Sequence, residues 1–113
     1  MNTNNPYFEK TIKSAHTFLS RWNGAIAEMW SLTPSIKTLR VLIYRMDTPG
    51  NLLIACIDPI MIKGPVRWMN CDLRVRTTTL PGGQETGFLV ADDLAGVEII
   101  CGALEVKENV KLK

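Results

Sequence analysis

Histidine occurs once in this 113-residue sequence, at His16, and cysteine three times, at Cys56, Cys71 and Cys101. A single histidine excludes histidine-built metal cages and obliges any cysteine–histidine or serine–histidine pair to use His16. The cysteines have neither the close-pair spacing of a zinc site nor the density of a secreted disulfide scaffold, so they read as buried reduced thiols. An excess of one charge is also missing. Against 11 Asp and Glu stand 13 Lys and Arg, and the net charge of +2 sets up no global field toward polyanions or membranes. The opening Met1 to Pro6 has neither the basic start nor the apolar run of a secretory leader. The longest apolar stretch, Leu52 to Ile62, is interrupted by Asp58-Pro59 and is too short to span a bilayer. A cytoplasmic location without a membrane partner is the expectation. Internal repeats and low-complexity linkers are absent too, so residues 1–113 read as one domain.

What is present is ordinary for a packed globular protein: 46% hydrophobic and 21% charged residues. A chain of this length buries roughly two-thirds of its unfolded surface around one core without a disulfide or metal staple. After a polar leader at 1–5, Phe8, Ile12, Ala15, Leu19 and Trp22 recur at four- and three-residue steps, the stripe of an amphipathic helix. Asn5 suits the N-cap, Glu9 the positive end of the dipole, and Arg21 with Asn23-Gly24 the C-terminal stop. The helix is predicted over 6–22. From 25 to 112, Pro and Gly turns separate short runs rich in Val, Ile, Leu and Thr, which is strand grammar. Runs at 25–32, 36–46, 51–57, 66–78, 85–91 and 97–112 give six or seven strands. Thr48-Pro49-Gly50-Asn51 has the residues of a type II turn, and Asp58-Pro59 reads as a connection. Short links between sequential strands favour antiparallel pairing. The fold class is therefore α+β, an N-terminal helix on a mainly antiparallel sheet.

The strands alternate differently. Leu73, Val75 and Thr77 oppose Asp72, Arg74 and Arg76, giving one buried face and one wet face. In the last strand Leu104, Val106, Val110 and Leu112 oppose charged and amide residues, and only Glu108 breaks the pattern. The central hairpin is apolar on both sides, with Leu39, Val41 and Ile43 against Leu42, Tyr44 and Met46. One helix covers one face of a sheet, so the other face of this hairpin needs a second sheet, a curled barrel wall or a partner subunit.

Few residues point to chemistry. His16 lies beside the apolar stripe of the helix and reads as a boundary residue, because no nucleophile elbow or orienting acid accompanies it. Asp92-Asp93 lacks the alternating oxygen ligands of a calcium loop and reads as a turn former, and Gly82-Gly83 as hairpin chemistry rather than a phosphate cradle. Asp72 next to Cys71 raises a thiol pKa rather than lowering it. No catalytic residue, metal site or cofactor is expected. Two surfaces stand out. Arg74 and Arg76 point to the same side of a strand, with Arg67 in the same run near Trp68, and read first as a solvated outer strand and second as a platform for single-stranded nucleic acid. Trp22, Met29, Trp30, Tyr44 and Trp68 are the residues for an apolar ligand pocket between helix and sheet. The leading expectation is a non-catalytic domain that associates with itself as a homodimer or other homo-oligomer, burying the second face of the 36–57 hairpin. An apolar-ligand domain ranks second. A small enzyme and a single-strand nucleic-acid binder rank below both.

Overall fold

A computed structural model describes residues 6–83 and 85–109. The apolar stripe forms α1 (Pro6–Arg21), with Ala15 and Leu19 buried and Phe8 and Ile12 packed at the edge of the core. Gly24, at φ 88°, turns the chain after the helix, in the left-handed conformation that glycine adopts without strain. Seven strands follow: β1 (Ile26–Thr33), β2 (Thr38–Arg45), β3 (Thr48–Lys63), β4 (Arg67–Trp68), β5 (Arg74–Thr79), β6 (Thr86–Asp92) and β7 (Val97–Asn109). The expected N-cap Asn5 and the alternating Val110 and Leu112 lie outside the described residues.

All pairings are antiparallel, and the strands form one sheet in the order β4-β1-β2-β3-β7-β6-β5. The sheet curls into a half-barrel, and α1 packs on it against β5 and β7. The inner face carries the core. Leu39, Val41, Ile43, Leu52, Ile54, Cys56, Phe88, Val90, Val97, Ile99, Cys101 and Leu104 are buried there together with Ala15, Leu19 and Trp22 from the helix side.

β4 and β5 are the two edges of this sheet, yet only residues 69–73 separate them in the chain. That segment carries the chain from one edge to the other and forms a seam. Cys71 fastens it to the start of β1, donating its N–H to the Ala25 carbonyl at 2.9 Å and accepting from the Gly24 N–H at 2.8 Å. Asp92, at the end of β6, fastens it from the far side. Its carboxylate accepts from Trp68 Nε1 at 2.9 Å and from the Asp72 N–H at 2.8 Å.

Three expectations need correction. The run 66–78 is not one strand, because Asn70 adopts φ 54° and the seam interrupts pairing between β4 and β5. Asp58-Pro59 does not end a strand: β3 continues to Lys63, with Asp58 at φ 56° and a register shift between Pro59 and Met61 absorbing the irregularity. The hairpin between β2 and β3 turns at Met46 and Asp47 rather than at Pro49-Gly50, which lie inside β3 where the register slips.

Candidate functional site

The outer face of β2, β3 and β7 is set by the same alternation that fills the core. With Val41, Ile54 and Val106 facing inward in register, the intervening residues face out. Leu42 stands beside Leu53 and Lys107, and Arg40 beside Ala55 and Glu105. This face holds a shallow hollow of about 280 Å³, floored by Leu53, Ala55 and Ile57 and rimmed by Thr38, Arg40, Glu105 and Lys107. Leu42, Leu53, Ala55 and Ile57 are half-buried. α1 packs on the opposite side, where its Ala15 and Leu19 share the core with Val41 and Ile54.

The five residues expected to line an apolar pocket are divided by the sheet. Trp22 and Trp68 are buried on the inner side, with Met29 packed against the same core. Tyr44 stands on the outer face, its hydroxyl donating to Glu28 Oε1 at 3.0 Å. Trp30 is 57% exposed at a bulge between Met29 and Ser31. A bulge adds one residue to one strand and re-aims its side chain, which explains an exposed tryptophan amid a half-buried strand. The buried indoles spend their N–H groups on the fold: Trp22 donates to Glu108 at 2.7 Å and Trp68 to Asp92.

The three arginines do not form one patch. Arg74 and Arg76 project from β5, whereas Arg67 lies on β4 at the other edge of the sheet, 3.8 Å from Glu28. Arg74 is 3.4 Å from Asp72, whose other oxygen accepts from Asn23 Nδ2 at 2.8 Å.

His16 is exposed on α1, and its Nε2 accepts the Val75 N–H at 3.4 Å, so it closes part of the β5 edge. Cys56, Cys71 and Cys101 are all free and buried. Burial pushes the Cys71 thiol up to about 11, with the negative charge of Asp92 adding to the effect. Such a thiol is protonated at neutral pH and a poor nucleophile. Among the described residues, no three His, Cys, Asp or Glu side chains are grouped as metal ligands, and no helix is long and apolar enough to cross a membrane.

Sequence reasoning missed two acids. Asp92 is only 1% exposed and binds the seam as well as its own turn, where Ala95 N–H donates to Oδ1 at 3.4 Å. Nothing in the sequence distinguishes it from Asp93. Glu108 did leave a signal, as the charged residue that breaks the alternation of the last strand. It sits where an apolar residue would, because it receives Trp22 Nε1 and an ion pair from Arg21 at 2.8 Å. Those hydrogen bonds, Arg21 first and then Trp22, hold its carboxyl below the ordinary value. Comparison with known proteins gave no match to a family model, to a curated protein or to a solved structure.

Proposed function

We propose that this chain is a non-catalytic interaction domain that associates with itself by closing the outer faces of β2, β3 and β7 from two copies over each other. The observation that carries the reading is the hollow floored by Leu53, Ala55 and Ile57, an apolar strip on the side of the sheet that α1 leaves uncovered. Its rim supports a twofold arrangement. Arg40 and Lys107 are cationic and Glu105 anionic, so a symmetric pair sets the acid of each copy against the bases of the other. An apolar centre within a polar rim is the common anatomy of a protein interface.

Solution mass by light scattering over a concentration series tests this. The wild-type chain is expected to dimerise in the micromolar range, and Leu53→Glu to remain monomeric with unchanged far-ultraviolet circular dichroism. Glu105→Lys is expected to weaken the dimer, and the exchange Glu105→Lys with Lys107→Glu to restore it. A wild-type monomer at millimolar concentration overturns the proposal.

A further inference from the structure

A second hollow, of about 530 Å³, lies over β5 and β6 and shares no lining residue with the first. Pairing sets Arg76 beside Leu89 and Arg74 beside Ala91, so Leu89 and Ala91 floor the cleft between the arginines and the turn that follows β6. Leu94 forms part of its wall and is 93% exposed, a leucine with no place in the core. The charges are laid out in order. Arg74, in the middle, pairs at 3.4 Å with Asp72, which the register sets toward the Asp93 end. At the two ends, the Arg76 guanidinium and the Asp93 carboxylate have no ion-pair or side-chain hydrogen-bond partner among the described residues. β6 stays extended to Asp92, so the backbone of Asp93, four residues beyond Leu89, stands at most about 13 Å from it.

A lone anion fits this layout badly, because Asp72 and Asp93 line the same cleft as the arginines. A molecule carrying opposite charges at its two ends, joined by an apolar body, fits both ends and the floor. A free amino acid is too short to reach. The termini of an extended tripeptide lie roughly 10 Å apart. We propose that the cleft binds a short zwitterionic peptide of about three residues, its carboxylate on Arg76, its ammonium on Asp93 and its aliphatic side chains on Leu89, Ala91 and Leu94. Arg76 offers the planar fork that grips a carboxylate with two hydrogen bonds. His16, held by the Val75 N–H, stands at the margin and limits how far the peptide extends over the β5 edge.

The test is a proton–nitrogen NMR titration of the full chain with four probes: Ala-Ala-Ala, its N-acetyl form, its C-terminal amide and inorganic phosphate. The free tripeptide is expected to shift the amides of Leu89, Ala91 and Leu94, and each blocked form to bind at least tenfold more weakly. Arg76→Gln is expected to bind the free and amidated peptides equally, and Asp93→Asn the free and acetylated ones equally. Both side chains are exposed, so the variants keep the wild-type spectrum elsewhere. No response to the tripeptide at millimolar concentration overturns the assignment. So does phosphate producing the same shifts, or a blocking penalty that survives in both variants.

Discussion

Asp92 shows how much one side chain holds. Both the Trp68 indole N–H and the Asp72 backbone N–H converge on Oδ2, while the Ala95 N–H reaches Oδ1. Removing the carboxylate leaves a buried indole donor unmet, and such a donor costs about 1–3 kcal/mol. Asp92→Ala is therefore expected to lose about 3 kcal/mol of unfolding free energy in urea, measured by tryptophan fluorescence. Asp92→Asn is expected to recover only part of this, since an amide offers one acceptor oxygen where the three donors use two. Glu108 makes a pH-dependent contribution. Its carboxyl has a lower pKa folded than unfolded, so its stabilisation is complete above the ordinary value of 4.5 and is lost as pH falls through the folded value. The melting temperatures of wild type and Glu108→Gln are expected to differ at neutral pH and to converge in acid. The gap will be modest, because Arg21 is half exposed and water screens the pair.

At the scale of elements, close approach matters more than propensity. A β-carbon on Gly87 would collide with the Leu80 side chain and stand 2.5 Å from the Cys101 carbonyl oxygen. Gly87 is buried between β5 and β7, and the Cys101 oxygen belongs to the β7 backbone, so it retreats less easily than the Leu80 side-chain tip. Gly87→Ala is expected to cost about 2–3 kcal/mol, again by urea denaturation. The helix was legible from its stripe, and β5 and β7 from their alternation, because those signals are local and the partners reinforce them. The break between β4 and β5 was not. Trp68-Met69-Asn70-Cys71 contains no Gly or Pro, and only Asn70, which tolerates a positive φ better than most residues, hints at a turn. β3 shows the reverse. Asp58-Pro59 looks like punctuation, but β7 pairs on both sides of it and Asp58 N–H finds the Lys37 carbonyl at 2.7 Å, so tertiary pairing outweighs the local signal. The unequal fate of the proposed pocket residues has the same origin. The bulge at Trp30 and the parity of Tyr44 are settled by register, which composition does not encode.

At the scale of the molecule, the doubly apolar hairpin was legible in the sequence, and the half-barrel's core takes up one side of it. If two copies cover the other side, unfolding becomes a bimolecular equilibrium, and the melting temperature is expected to rise with protein concentration in a scan read by circular dichroism. Leu53→Glu is expected to abolish that dependence. The seam has a different consequence, for the order of events in folding. Asp92 can fasten residues 68–72 only after β6 has formed, and Cys71 can pair with Gly24 and Ala25 only once the helix end and β1 are in place. The Asp92 contacts reward only a chain that already holds β6. Closure of the seam by Asp92 is therefore expected late in folding, after much of the loop entropy of the sheet has been lost. Until then both edges are bare, and a nascent chain has to avoid the strands of its neighbours for that interval.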